Sequence, residues 1–254
     1  MQITVLGSGT SQGIPVIACP CDVCASTDLL DKRLRASVLI QTKNTTIAID
    51  AGPDFRQQML REKVNQLDAI FITHEHKDHT GGLDDVRSYN YLLKRPMEVY
   101  ASHTTLEALR KAYAYAFGEN KYPGVPKFDF RDLENGKTLT VGDITVVPIE
   151  VKHLSMSVFA FRINNFAYIT DANFISENSM EQLKGIDYLI IGAPRKQKHI
   201  SHFNLEEAIA ISKCLGAKKT WFTHISHLMG KTADVAPILP DSMVLAYDGL
   251  KFTI

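Results

Sequence analysis

Short apolar runs alternate with polar loops along the chain, and their periodicity sets the first expectations. ITVLG (3–7), SVLIQT (37–42) and TTIAID (45–50) read as strands of an N-terminal sheet, the last two joined by a tight turn at Lys43-Asn44. Phe55 to Lys63 has helical character and leads into AIFIT (69–73), an uninterrupted apolar run suited to a buried strand. Leu83 to Leu93 reads as a helix. So does Thr105 to Phe117, where Leu106, Leu109, Tyr113 and Phe117 recur at three to four residues. GENKYPGVPKF (118–128), with two prolines and two glycines, predicts an irregular loop and a candidate lid.

The second half repeats the alternation. ITVVPIEV (144–151), VFAFRI (158–163), FAYIT (166–170) after an Asn164-Asn165 turn, and DYLII (187–191) predict strands. A helix over Leu205–Leu215, a strand TWFT (220–223) and a final hairpin around Asp248-Gly249 follow. Two βα-rich halves without a low-complexity linker predict one α/β domain over 1–254 with two layered sheets. Cys214, inside the helical pattern, is expected to be a small core residue.

Composition narrows the class without choosing a function. The 28 basic and 28 acidic residues cancel, so no global field advertises a nucleic-acid or anionic-membrane partner. MQITVLGSGT has no basic n-region or long apolar h-region, and no apolar run is long enough to span a bilayer. The expectation is a cytoplasmic protein, where clustered cysteines are metal ligands or redox thiols more often than disulfides. The glycine-rich GSGTSQG matches neither a dinucleotide fingerprint nor a phosphate loop, so no nucleotide cofactor is expected.

The densest chemistry lies in FITHEHKDHTGG (71–82). An apolar strand ends at Thr73, and His74, His76, Asp78 and His79 follow within six residues. Such a turn can aim His74 and His76 at one cation and Asp78 and His79 at a second, with donors suited to zinc, manganese, nickel or iron.

This H-x-H-x-D-H run resembles that of the metallo-β-lactamase superfamily, and the resemblance extends over nearly the whole chain. Asp50 in IDAGPDF, His153 in VKHLS, Asp171 in FAYITDANF and His224 in TWFTHISH follow in the expected order at strand ends. The resemblance implies a four-layer αββα sandwich with the site along one edge. It implies a first divalent ion on His74, His76 and His153 and a second on Asp78, His79 and His224. Asp171 would bridge them, and Asp50 would steady the ligand loop. Two ions about 3.5–4 Å apart share a water, lower its pKa to about 7 and clamp a substrate oxygen. That is machinery for hydrolysis, and with all seven ligands present a non-catalytic module is disfavoured.

Within the superfamily the substrate is not fixed by fold. Secreted β-lactamases need a signal peptide, and glyoxalase-II-like thioesterases carry a helical domain after the last histidine. Two readings remain, a small phosphodiesterase and a tRNase Z-like nuclease. Both families use a histidine on the loop before a late helix, and RKQKHISHFNLEEAI (195–209) supplies His202. It would act as general acid toward the leaving oxygen or as hydrogen-bond donor to phosphate. Arg195, Lys196 and Lys198 make that loop cationic, whereas His199 and His103 are expected to be structural or exposed. No long basic arm for tRNA is visible, so nucleic acid is an unfavoured partner and a small phosphodiester the favoured one, with a homodimer possible.

Cys19, Cys21 and Cys24 form C-x-C-x-x-C. This is similar to the N-terminal loop of PhnP-type phosphodiesterases of phosphonate catabolism, which open ribosyl 1,2-cyclic phosphates. Pyrroloquinoline-quinone biosynthesis relatives share it. The resemblance implies a structural zinc whose fourth ligand is His227, three residues beyond His224. Three thiolates and an imidazole suit tetrahedral zinc.

Overall fold

The alternation of inward and outward side chains resolves into two seven-stranded sheets in the computed structural model, which describes residues 1–119 and 122–254. The first sheet contains β1 (Gln2–Gly7), β2 (Ser37–Gln41), β3 (Thr46–Ile49), β4 (Ala69–Phe71), β5 (Met97–Ala101) and β6 (Phe128–Asp132). The second contains β7 (Leu139–Val141), β8 (Ile144–His153), β9 (Met156–Ile163), β10 (Phe166–Ile169), β11 (Tyr188–Gly192), β12 (Lys219–Thr223) and β13 (Met243–Leu245). The chain then returns to the first sheet as β14 (Lys251–Thr253), giving orders β14-β1-β2-β3-β4-β5-β6 and β13-β12-β11-β10-β9-β8-β7. Each sheet is mixed. β3 through β6 and β10 through β13 run parallel, and the remaining pairs are antiparallel.

Period-two patterning explains the layering. Ile47 and Ile49 of β3, Phe159 and Phe161 of β9, and Phe166 and Tyr168 of β10 meet in a core between the sheets. Their neighbours Ala48, Val158, Ala160, Ala167 and Ile169 point the other way, into outer cores covered by helices. The helices are α1 (Asp22–Ala25), α2 (Phe55–Glu62), α3 (Lys77–Thr80), α4 (Arg87–Leu93), α5 (His103–Ala112), α6 (Glu177–Leu183), α7 (Leu205–Leu215) and α8 (Thr232–Val235). Residues of α2, α4 and α5 close the outer face of the first sheet, and those of α6 and α7 close that of the second. Three apolar cores between four layers are the αββα sandwich. No described helix is long and apolar enough to cross a membrane.

Several local expectations are corrected. Asp248-Gly249 does not join a hairpin; it carries the chain from β13 in one sheet to β14 in the other. Asp248 accepts hydrogen bonds from Ser8 N (2.9 Å), Ser8 Oγ (2.8 Å) and Leu34 N (2.8 Å), fastening the crossover to the first sheet. Phe252 then stacks on Trp221 with centroids 3.8 Å apart, so alternation announced the strands but not their partners. Cys214 is exposed. The buried face of α7 is Leu205, Ala208, Ser212 and Leu215, and a residue two past Ser212 falls on the opposite side. The helix predicted over 83–93 starts as a 3₁₀ turn (Leu83–Val86), and that over 105–117 begins at His103 and gives way to a second (Ala114–Ala116). β5, β6, β7 and α6 were not foreseen. The candidate lid over 118–128 includes residues 120–121, which lie outside the described residues, and Phe128 already belongs to β6.

Candidate active site

Strand ends deliver the site. Asp50 follows β3, Asp171 closely follows β10 and His224 follows β12, and all three occupy the left-handed region, with φ of 65°, 48° and 55°. That conformation is uncommon for non-glycine residues and costs on the order of 1–3 kcal/mol in unfavourable cases. Here it reverses the chain at the carboxyl ends of parallel strands, where ligand crevices form in α/β sheets. The loop after β4 brings His74 and His76, and the short α3 carries Asp78 and His79. Gly52 permits this approach, because a Cβ there would lie 2.0 Å from the Asp78 carbonyl oxygen.

Asp50 lies beneath the cluster, fully buried. It accepts from Thr73 N at 2.9 Å, and its Oδ2 accepts the Nδ1–H of His79 at 2.7 Å. A carboxylate partner at Nδ1 fixes the tautomer and leaves the His79 Nε2 lone pair facing the cavity. There it sits 2.9 Å from Asp171 Oδ2 and 3.1 Å from Asp78 Oδ2. His224 Nε2 lies 3.3 Å from the same Asp171 oxygen and 3.5 Å from Asp78 Oδ2. His74 Nε2 faces His76 Nδ1 at 2.9 Å. His153 gives its Nδ1–H to the Ser201 carbonyl at 2.7 Å, which turns its other nitrogen outward.

The electrostatics favour cations. Burial opposes ionisation of Asp171, but the imidazoles of His224, His79 and His74 outweigh it and hold the carboxyl well below its ordinary range. Burial, followed by the neighbouring His79, pushes His74 well below an ordinary imidazole, leaving it neutral with a lone pair to donate.

Divalent metal ions, which the fold implies, fit these residues. The Nε2 atoms of His79 and His224 are buried and make no hydrogen bond, although carboxylate oxygens lie near them. Buried imidazole nitrogens and carboxylates that converge in this way are the donor set that suits a divalent cation between them. The donor groupings are His74–His79–Asp171, Asp78–His79–His224 and His153–Asp171–His202. Asp171 belongs to two of the three, the position a bridging carboxylate would take. That His153 and Asp171 fall together follows the expected bridging position of Asp171; the presence of His202 in the same grouping was not foreseen.

His202 stacks near His153, His199 and His224, with centroids 4.7, 4.7 and 5.1 Å away, and its Nδ1 lies 3.3 Å from Asp171 Oδ1. Burial pushes it down to about 3, with the flanking imidazoles of His224, His153 and His199 acting the same way against the opposing carboxylate of Asp171. Beside it is a cleft of about 200 Å³ whose lining includes Thr10, Ser11, Arg195, His199 and Ser226, with no carboxylate. Arg195 also shapes this loop by donating to the Lys198 carbonyl at 2.6 Å. Lys196 and Lys198 are exposed, and His103 pairs with Asp132 at 3.1 Å on the surface.

The second constellation assembles from opposite ends of the chain. His227 Nδ1 lies 3.2, 3.4 and 3.6 Å from the sulfurs of Cys19, Cys21 and Cys24. Tetrahedral zinc with its usual bond lengths separates sulfur and nitrogen ligands by roughly 3.5 Å, so these four atoms could hold it with little movement. The backbone N–H of Cys24 is the largest influence on the Cys21 thiol, which is brought down to about 6.

Sequence reasoning missed the supporting groups. Ser201 aims His153 through its backbone carbonyl, Thr73 holds Asp50 and His74 through its backbone N–H and hydroxyl, and Asn173 joins loops through its side-chain amide; none of these residue types is marked in the sequence as a partner of a distant ligand. Arg33 is buried and donates to Ser8 at 2.9 Å, to Thr232 at 3.0 Å and to the Ala246 carbonyl, tying the chain's two ends below the cleft.

Fold and site together define the class: the chain belongs to the beta-lactamase superfamily, whose domain model matches residues 45–225. Within it the chain is PhnP-like, 37% identical to a crystal structure described as a new diphosphatase from the PhnP family, with a TM-score of 0.92 over all of this chain and 97% of that one. An octanoyltransferase of Porphyromonas gingivalis is 38% identical over 256 residues, covering 100% of this chain and 52% of that protein. The exodeoxyribonuclease WalJ of Streptococcus pneumoniae is 29% identical over 168 residues, 62% of this chain and 57% of that protein. The chain thus spans about half the length of the curated relatives it matches.

Proposed function

We propose that the protein is a phosphodiesterase acting on a small phosphodiester, with two divalent ions at the histidine-carboxylate centre and one structural zinc on Cys19, Cys21, Cys24 and His227. The observation that carries this reading is Asp171, whose carboxylate is approached by His79, His224 and His202 from three separate segments of the chain. His74, His76 and His153 would hold one ion, Asp78, His79 and His224 the other, and Asp171 would face both. When bound, such ions lower the pKa of water and neutralise charge on a phosphoryl oxygen.

The chain's own residues supply the rest. Asp50 and Thr73 keep the imidazoles of His79 and His74 aimed at the centre, and the Ser201 carbonyl does the same for His153. The acid-free cleft with Arg195, His199 and Ser11 suits an anionic phosphoryl group. The negative charge of a substrate beside His202 would favour its protonation, and the imidazolium would then give that proton to the leaving oxygen and return to the neutral ring. Similarity to a PhnP-family diphosphatase and to an exodeoxyribonuclease supports chemistry at phosphorus. The octanoyltransferase match supports no acyl transfer by itself, because about half of that protein lies outside the match.

A nuclease is the second reading, favoured by the WalJ similarity and opposed by the balanced charge. The test is a side-by-side assay on a ribosyl 1,2-cyclic phosphate, an aryl phosphodiester, single-stranded DNA, a pre-tRNA and a thioester. The proposal expects turnover of the first two. Turnover of the thioester alone would overturn it.

A further inference from the structure

Three large apolar side chains stand exposed on the loops that carry His153, Asp171 and His202. Leu154 is 52% exposed and adjoins His153, Phe174 is 56% exposed three residues past Asp171, and Ile200 is 78% exposed two residues before His202. Scattered surface hydrophobics need no explanation, but these are held together. Asn173 accepts from Leu154 N at 2.7 Å and donates to the Ile200 carbonyl at 3.3 Å, and Lys152 N donates to the Phe174 carbonyl at 2.9 Å. One side chain thus ties all three loops into a single edge.

Leu154 adds an independent sign. It occupies the two-residue turn between β8 and β9 with φ of 55°, where glycine or asparagine would be relaxed and a leucine is strained. An exposed, strained leucine beside a candidate ligand is unfavourable for stability, and strain of this kind concentrates where side chains meet ligands. Its neighbours decide which part of a substrate it meets. His202, placed to serve the leaving oxygen, lies between this edge and the acid-free cleft that suits the phosphoryl group.

We propose that Leu154, Phe174 and Ile200 form an apolar rim that binds the leaving group of the substrate, and that the enzyme therefore prefers phosphodiesters whose leaving alcohol bears an apolar ring. The inference rests on the phosphodiesterase reading and specifies which half of the diester the protein grips by apolar contact. A methyl, hydroxyethyl or bare sugar leaving group would leave the rim uncovered. A ring lying against Phe174 and Leu154 would withdraw apolar surface from water on both sides.

The test compares Leu154→Asn and Phe174→Ser with the wild-type holoenzyme on two methyl phosphodiesters, one with a 4-nitrophenyl and one with a 2,2,2-trifluoroethyl leaving group. Melting temperature and light scattering are measured on the same samples. The expected result is a fall of about tenfold in the ratio of aryl to alkyl kcat/KM, carried mainly by KM for the aryl ester. Leu154→Asn should show this fall while its melting temperature holds or rises, because asparagine relaxes the turn. Equal losses on both esters, an unaltered ratio, or a dimer that dissociates in the variants with parallel losses would each overturn the rim. If the wild-type enzyme turns over neither these esters nor the ribosyl 1,2-cyclic phosphate, the phosphodiesterase reading falls and the rim with it; if it turns over only the cyclic phosphate, or turns over both esters and the variants keep its ratio, only the rim falls.

Discussion

Asp50 and His79, neither of them accessible to solvent, meet through a 2.7 Å hydrogen bond between Oδ2 and Nδ1. The bond fixes which nitrogen of His79 faces Asp78, Asp171 and His224. Asp50→Ala is therefore expected to weaken the ion at that end of the centre by about 10–100-fold. Metal titration checks it; an affinity matching the wild type would mean that Asp50 supports the fold only.

Asp171 carries the charge the centre is built around. Asp171→Asn keeps the shape and one oxygen donor but removes the anion that His79 and His224 face. Turnover should fall by at least about a hundredfold, with near-normal thermal stability. Steady-state kinetics on an aryl phosphodiester measures this, and retention of most activity would refute a bridging role.

For His202→Ala the expected loss is about a hundredfold and depends on the leaving group. It should be greatest for alcohols of high pKa and least for 4-nitrophenolate. A loss of the same size across such a series would instead assign His202 to hydrogen bonding with the phosphoryl oxygens.

The Cys19–Cys21–Cys24–His227 constellation can be tested apart from catalysis. His227→Ala should reduce bound metal from three ions per chain to two and lower the melting temperature by several degrees. Elemental analysis of protein purified without chelator reads the count directly. Three retained ions would exclude His227 as a ligand.

Asp31 gives a pH signature outside both metal constellations. Its carboxylate accepts from Ser26 Oγ at 2.6 Å and Thr232 N at 2.8 Å, linking the cysteine loop to the C-terminal segment. Burial opposes its ionisation, but Ser26, Thr232 and the nearby Arg33 prevail, so the folded pKa lies below the ordinary 3.8. A depressed acid stabilises the fold fully above its unfolded pKa and loses that contribution as pH falls through the folded value. Asp31→Asn should thus cost roughly 1–3 kcal/mol at neutral pH, and progressively less below about pH 4. Paired denaturant titrations across that range measure it, and a pH-independent difference would contradict the charge-based account.

Much of this arrangement was legible in one dimension. Apolar runs of period two marked most strands, and His74, His76, Asp78, His79, His153, Asp171 and His224 each stood at or just past one, as loop chemistry at strand ends requires. The C-x-C-x-x-C spacing likewise marked a candidate ligand set, to which the resemblance added His227, and the fold brings those four side chains together. Local pattern suffices for such features because hydrophobic periodicity and donor chemistry belong to consecutive residues.

Partner choice was decided only in three dimensions. That Asp248-Gly249 bridges two sheets, that His153 is aimed by the Ser201 carbonyl, and that Cys214 faces outward all depend on which distant surfaces pack together. So does the rim of Leu154, Phe174 and Ile200, whose members are separated by up to 46 positions in sequence and joined by Asn173. A backbone carbonyl or an exposed leucine carries no functional label in the sequence. It acquires one when burial of the three cores fixes the strands and brings their terminal loops to one edge.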